Sequence, residues 1–274
     1  MAIVAVQMTE SRPLQDFKIV IETDDYAVVD KPPFLLIHPT KPDGTRTLWR
    51  ELRGLFAFEI AAGGQISIVN RLDRETSGLV LVAKKADIAR RFGLLMQRRQ
   101  LKKEYLAIVW GWPEWEHRLV DAALDRQGKH QHSAIWLKQM IHPSGASAQT
   151  EFRVERRFEM SAGRRGPPGG PFEDGKFSLV RAMPFTGRTH QIRVHLASIG
   201  HPIVGDKIYG PDEQRYLHFI KTGWTSELAR QLLLPRHALH SAKLAIEGEC
   251  EWTSPLPSDL TEFCGSDPRR APLR

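Results

Sequence analysis

The chain has 274 residues, long enough to bury a sizeable core as one large domain or two lobes. Hydrophobic residues make up 41% and charged residues 26%, ordinary proportions for a globular protein, and no apolar stretch approaches the length of a membrane span. The formal net charge of +7 favours a polyanionic partner, nucleic acid ahead of an acidic membrane surface, while Cys250 and Cys264 alone cannot build a tetrahedral zinc site.

Met1 to Pro13 lacks a basic start followed by an apolar run, so it does not read as a signal peptide, and a cytoplasmic protein is expected. Residues 1–16 carry no strong pattern and read as an arm or an edge strand. Phe17 to Ile21 alternates as a strand does, Asp24-Asp25 supplies turn chemistry, and Tyr26 to Val29 pairs back as a hairpin. Lys31-Pro32-Pro33 ends it, because proline cannot donate to a ladder. Ile66 to Val69 reads as a strand ending at Asn70-Arg71-Leu72-Asp73. Beyond the loop Arg74 to Gly78, Leu79 to Ala83 is continuously apolar, as in a strand buried on both faces. Asp87 fits a helix N-cap, after which Ile88, Phe92 and Leu95 share a face. Glu104 to Trp110 is another strand.

Arg164 to Pro171 is too rich in glycine and proline for regular structure, and two strand-like runs flank it, Thr150 to Phe158 and Phe177 to Met183. It reads as a loop insertion near 161–176. Thr189 to Ile199 predicts a helix, with Ile192, Leu196 and Ile199 on one face, Gly200 as a left-handed cap and Pro202 as a stop. Gln214 to Leu234 reads as helical cover and Ala238 to Ile246 as a strand. Strands outnumber helices without alternating with them. The expected fold is therefore α+β, a mixed, largely antiparallel central sheet flanked by helices, with an active-site cleft. One domain is expected over 17–257, followed by a tail over 258–274.

Three segments carry chemistry. In Asn70 to Gly78 a carboxylate, Asp73, stands at a strand end between Arg71 and Arg74, with Thr76, Ser77 and Gly78 forming a tight turn. Flanking cations favour an ionised aspartate, which can act as a nucleophile. A turn aspartate in a surface ion cluster would look the same, with Glu75 as the partner of Arg74. In Phe185 to His195, six polar side chains from Thr186 to Arg193 crowd the start of a helix. With Arg188, His190 and Arg193 that is a natural anion site, for a phosphate or for Asp73 itself. In Lys102-Lys103-Glu104-Tyr105, a tyrosine beside two lysines suits an unpaired base with phosphates nearby, although a lone strand tyrosine is more often a packing residue. Residues 84–103 hold Lys84, Lys85, Arg90, Arg91, Arg98, Arg99, Lys102 and Lys103 against Asp87 and are expected to grip phosphates in part. The pairs His237/His240 and His130/His132 lack a zinc-like setting, and no metal is expected.

These motifs, with Val28 to Pro33, Gly200 to Asp206 and Arg236 to His240, together resemble the RluA-type RNA pseudouridine synthases, in the family's order over roughly residues 17 to 257. The resemblance implies that Asp73 is the catalytic carboxylate, that Arg71 helps take the nucleotide out of its stack, that Tyr105 stacks on the flipped base and that Arg193 pairs with Asp73. It implies RNA, transfer or ribosomal, as partner and no metal or organic cofactor; a monomer is expected. Asn70 stands where the family often has histidine, so local hydrogen bonding is expected to differ. Many members carry an N-terminal S4 module, for which the residues before Phe17 are too few. Two other readings are a non-catalytic RNA-binding or ribosome-assembly factor on this fold and a glycoside hydrolase. The second would usually need two carboxylates flanking the bond, and only Asp73 stands out.

Overall fold

The computed structural model describes residues 17–39, 44–160 and 174–265. The arm expected over 1–16, and the insertion except its last residues, lie outside them. The chain opens with strand β1 (Lys18–Glu22) and its antiparallel partner β2 (Tyr26–Lys31), turned by Thr23, whose side chain takes the N–H groups of Asp25 and Tyr26. Helices α1 (Leu48–Leu55) and α2 (Ala57–Ala61) follow, then β3 (Ser67–Ile68) and β4 (Ser77–Ala83). Every residue of β4 is buried, as its unbroken apolar run requires. Helix α3 (Ala86–Gln97) begins one residue after Lys85, which occupies the N-cap in extended conformation. Asp87, expected as the cap, lies instead in the first helical turn, where its charge suits the helix dipole.

The sheet continues through β5 (Leu101–Trp110), β6 (His117–Asp121), β9 (Gln149–Glu159), β10 (Lys176–Pro184), β11 (Leu239–Ile246) and β12 (Cys250–Thr253). A separate hairpin pairs β7 (Leu124–Arg126) with β8 (Gln139–Ile141). The large sheet has ten strands in the order β1-β2-β4-β11-β5-β10-β9-β6, with β3 added on β4 and β12 on β11. Every pairing in it is antiparallel except the short parallel contact of β4 with β11, where Ser77 and Gly78 face His240 and Ser241. The architecture is the α+β fold with a mixed, largely antiparallel sheet that the sequence predicts.

That parallel contact places the Asp73 turn. Gly78 has φ 107°, and a Cβ there would meet the Ser241 carbonyl at 2.3 Å, so only glycine lets β4 start this close to β11. The helical cover after β10 is α4 (Gln191–Ser198), α5 (Gln214–Thr222) and α6 (Ser226–Leu232). Helix α4 starts two residues later than expected because His190 is left-handed, at φ 55°. The run expected as one helical cover over Gln214 to Leu234 divides at Gly223, with Thr225 capping α6.

The main core lies between the sheet, α1 and the last helix, α7 (Ser258–Phe263). The tail expected from 258 therefore begins inside the domain. Leu260 and Phe263 are buried, and the Phe263 ring packs edge-on against Phe177 at 5.3 Å. Helix α3 covers a second core with Tyr26, Leu244 and Trp252. A third, small core joins the β7–β8 hairpin to α4 through Leu124, Ile135, Val194 and Tyr209. Truncating Phe263 to alanine should cost about 3–5 kcal/mol, the usual range for a buried ring. Urea unfolding checks this, and a loss below about 1 kcal/mol would place α7 outside the cooperative unit.

Candidate active site

Asp73 lies in the turn between β3 and β4, which closes by a hydrogen bond from Thr76 N–H to the Asp73 carbonyl at 3.1 Å. Its side chain is 28% exposed and is the open end of a charge array. Arg193 Nη1 donates to Asp73 Oδ2 at 2.8 Å. The same guanidinium grips Asp206 with two further bonds, Nε to Oδ2 at 2.6 Å and Nη2 to Oδ1 at 2.9 Å. Asp206 is fully buried and also accepts the N–H groups of Ile208 and Tyr209. Burial alone would raise the Asp73 carboxyl, but His190, Arg193 and His237 outweigh it and hold it at about 2, the two imidazoles acting as charges only in acid and Arg193 at every pH. Asp206 lies well below the usual carboxylate range for the same reason, Arg193's charge overcoming the cost of burial. Both carboxylates are ionised at neutral pH.

His190 and Tyr209 wall this array. Tyr209 lies under the Arg193 guanidinium, 5.0 Å from ring centroid to carbon. Its hydroxyl accepts the Gln139 N–H at 2.8 Å and shares a hydrogen bond with His190 Nδ1 at 2.8 Å. His190 Nε2 then faces Asp73 Oδ2 at 3.9 Å. Burial, with Arg193 adding to it, pushes His190 down to about 4, so it is neutral at physiological pH. Tyr105 is buried on β5, and burial lifts its phenol to about 12, the Asp73 charge acting in the same direction. It remains a neutral hydroxyl beside an ionised carboxylate.

Contacts from distant segments fix the turn. Lys31, fully buried at the end of β2, donates to the carbonyls of Pro32, Leu35 and Arg74. Burial, and Arg236 after it, lowers its ammonium to about 7, while Asp73 and Asp30 oppose the shift. Glu75 accepts Lys207 Nζ at 2.8 Å and the His237 N–H at 3.1 Å. It is thus tied to the far motifs and not to Arg74, whose Nε instead donates to the Phe34 carbonyl. The buried Arg236 reaches the Glu75 carbonyl and is gripped by Asp259 of α7.

The residues singled out in sequence divide accordingly. Asp73 and Arg193 are in direct contact, with His190 and Tyr105 close by. Arg71 is exposed at the mouth of the turn. Thr76 does not face the open site: it is buried, and its hydroxyl shares a 2.7 Å hydrogen bond with His237 Nε2. Arg188 is exposed and donates to the Ser147 carbonyl, outside the Asp73 array. Strand alternation separates the two lysines, since Lys103 shares the Tyr105 face and Lys102 points to the other, 3.7 Å from Glu247. Lys103 is buried, with Nζ 3.4 Å from the Thr186 carbonyl, and burial lowers it to about 8. With Arg99, Met96 and Phe185 it lines a cavity of about 180 Å³.

The basic run 84–103 is less available than its composition suggests. Lys84 is buried against Glu22 and Glu59, Lys85 pairs with Asp25, and Arg91 pairs with Glu249. Arg90, Arg98 and Arg99 are exposed. Asn70 does alter local bonding: its amide donates to the Leu79 carbonyl and accepts the Leu81 N–H, stapling the turn to β4. The histidines also have local partners. His240 bonds Ser77 and the Ser254 carbonyl, and His130 lies on Asp125 and stacks on His142. Among the described residues no group of three or more His, Cys, Asp or Glu could hold a metal ion. No described helix is long and apolar enough to cross a membrane.

A carboxylate presented by a strand-end turn, paired to a helix arginine and facing a strand tyrosine on this sheet defines a recognisable class. Residues 25–198 match the family described as RNA pseudouridylate synthase, and the chain belongs to that family. It is 34% identical over 251 residues to ribosomal large subunit pseudouridine synthase D of Nitrosomonas europaea, covering 89% of this chain and 63% of that protein. It is 33% identical over 254 residues to the protein of the same name from Escherichia coli K12, covering 89% and 68%. The chain thus spans about two thirds of the length of these relatives. In fold it is similar to human RNA pseudouridylate synthase domain containing 4, with a TM-score of 0.64 at 23% identity over 89% of this chain and 90% of that one.

Two aspartates share Arg193, and their loss should differ. Asp206→Asn leaves a buried cation short of its fixed partner and should cost about 3–5 kcal/mol. Asp73 has a folded value near 2 against 3.8 for the free group, so its stabilisation is present above about pH 4 and fades as pH falls toward 2. The stability gap between the parent and Asp73→Asn should therefore shrink by about 1 kcal/mol between pH 5 and pH 3. Urea titrations at both pH values check it, and a gap that widens would contradict the pairing.

Proposed function

We propose that this chain isomerises uridine to pseudouridine in RNA, with Asp73 as the reacting carboxylate and large-subunit ribosomal RNA as the substrate class. The observation that carries the reading is the partly exposed, ionised Asp73 held on a guanidinium that a buried second carboxylate fixes from behind. The names of the relatives support the ribosomal substrate, and family membership supports the reaction. The N1–C1′ bond breaks, the uracil turns, and C5 joins C1′; a proton leaves C5 and one arrives at N1. Atoms and electrons are conserved, so the reaction calls for no redox partner, and we expect the protein to work as a cytoplasmic monomer without metal or organic cofactor.

The uridine must leave its stack first, which costs a few kcal/mol and least at loops and bulges. Arg71, exposed beside the turn, is placed to occupy the space the base vacates. Tyr105 is the surface against which the uracil lies while detached. Asp73 acts on C1′, takes a sugar proton or adds to the base; each route uses its ionised form. Lys103 and Arg99, which share one cavity wall, would hold phosphates flanking the uridine.

Asp73→Asn should abolish turnover while RNA affinity stays within about tenfold, or roughly 1.4 kcal/mol, because a carboxylate adds nothing favourable to a polyanion. The assay is pseudouridine formation in an unmodified large-subunit ribosomal RNA transcript in chelator-containing buffer. Full activity of the Asn variant would remove Asp73 from the chemistry, and activity restored by one specific metal would remove cofactor independence. Arg193→Lys should lower turnover far more than affinity, since an ammonium cannot make the parallel bonds of a guanidinium. Changing the exposed Arg98 and Arg99 to glutamine should flatten the log-affinity versus log-salt slope by about 1.5 in total. An unchanged slope would return this helix end to solvent.

A further inference from the structure

The β7–β8 hairpin carries a feature that the reaction does not account for. Lys138 N–H bonds the Ile135 carbonyl at 3.1 Å, which closes a turn with Trp136 and Leu137 at its centre. Turn centres usually hold glycine, proline, asparagine, aspartate or serine, because these fit the backbone or bond to it. Here they hold two large apolar side chains in water, Trp136 at 73% and Leu137 at 53% exposure. The turn is well anchored. Ile135 is buried in the small core with Val194 and Tyr209, and Gln127 N–H bonds the Lys138 carbonyl. The exposed indole is a fixed projection and not a frayed end.

One face of that indole is covered by the Arg126 guanidinium, 3.8 Å from the ring centroid. Arg126 Nε is buried and has no hydrogen-bond partner, and the guanidinium makes no ion pair among the described residues. The neighbouring lysines differ, since Lys129 lies on Asp125 and Lys138 lies on Glu213. Arg126 is thus a cation left against an aromatic ring with no carboxylate on it. The hairpin also adjoins the candidate active site. Gln139, three residues beyond Trp136, donates to the Tyr209 hydroxyl that bonds His190 beside Asp73. Three residues span at most about 11 Å.

We infer that Trp136 and Arg126 form a nucleotide platform on which an unpaired base near the target uridine stacks, with its phosphate on Arg126. This rests on the RNA reading of the Asp73 site. Stacking accepts any base because every base has a π-face, and a guanidinium behind the indole strengthens the ring as a platform while its unpaired charge attracts the phosphate. The platform would position the strand beside the flipped uridine and take no part in bond making.

The test has two stages. The modified uridine is first mapped on an unmodified large-subunit ribosomal RNA transcript treated with the parent protein. No pseudouridine in that transcript would overturn the RNA reading and the platform with it. Hairpin RNAs centred on the mapped uridine are then made with each flanking nucleotide replaced in turn by an abasic residue. Trp136→Ala should weaken hairpin binding and raise KM roughly 5- to 150-fold, as expected for one lost base stack, with kcat nearly unchanged. Trp136→Phe should recover most of the loss. One abasic position should weaken the parent by a similar factor and leave Trp136→Ala unaffected. Conversion by the parent with no affinity change in Trp136→Ala would overturn the platform alone. So would equal losses for parent and variant at every abasic position. A fall in sedimentation mass on Trp136→Ala, with RNA binding intact, would assign the patch to protein contact and overturn it as well.

Discussion

The site depends on one guanidinium held between two carboxylates. Arg193 is buried, and an unpaired buried cation costs several kcal/mol. Asp206 meets that cost with a two-bond grip, and its own negative charge is stabilised by the backbone N–H groups of Ile208 and Tyr209. Arg193 therefore stays charged and fixed whatever happens at Asp73. Asp73 takes one remaining bond and keeps an open side. A carboxylate that reacts loses charge, and a guanidinium with a single partner would then be stranded. With Asp206 behind it, Arg193 can stabilise Asp73 as an anion without depending on it.

This arrangement needs distant segments to converge. Asp73 comes from the β3–β4 turn, Arg193 from α4 and Asp206 from the turn after it. Lys31, Lys207, His237 and Arg236 then lock the turn by its carbonyls and by Glu75. The parallel contact of β4 with β11 brings the turn and the Arg236–His237 segment together, and Asp259 extends the lock to α7. Loss of any of these would loosen the position of Asp73 before it changed its charge. That is why so many buried polar groups surround one partly exposed acid.

How far the sequence spoke depended on whether a signal was local. Strands such as Leu79 to Ala83 announced themselves by an apolar run, and the α+β class followed from the number of strand-like segments. Asp73 and Arg193 were visible because each sits in a dense polar motif. Asp206 was not: Gly200 to Asp206 resembles the family, yet nothing in it says that the aspartate faces Arg193, since that depends on how the turn after α4 folds back. Glu75 was misread because its neighbour Arg74 is adjacent only in sequence. Thr76 looked like a contact for a ligand, but its hydroxyl is buried against His237, and burial is a property of the packed sheet. The start of α4 shifted because His190 takes a left-handed conformation, fixed by a bond to Tyr209 that no periodicity reports.

Charge proved a coarse guide for the same reason. The net charge of +7 and the run 84–103 suggested one continuous phosphate grip, yet Lys84, Lys85 and Arg91 are bound to glutamates and aspartates within the fold. Paired cations release fewer counterions and steer a polyanion weakly. Cations not bound in this way include Arg71 at the turn, Arg90, Arg98 and Arg99 on α3 and just past its end, and Arg126 on the β7–β8 hairpin. Such a surface can attract RNA, but phosphate contacts do not choose a nucleotide. On the proposed function, selection of an unpaired uridine would fall to groups that meet bases, Tyr105 within the site and the indole of Trp136 at its edge. Both rings are held by neighbours that fix their orientation, Tyr105 by the sheet and Trp136 by a closed turn and a guanidinium. Preorganised rings lose little freedom on binding, so the base rather than the protein bears most of the ordering cost.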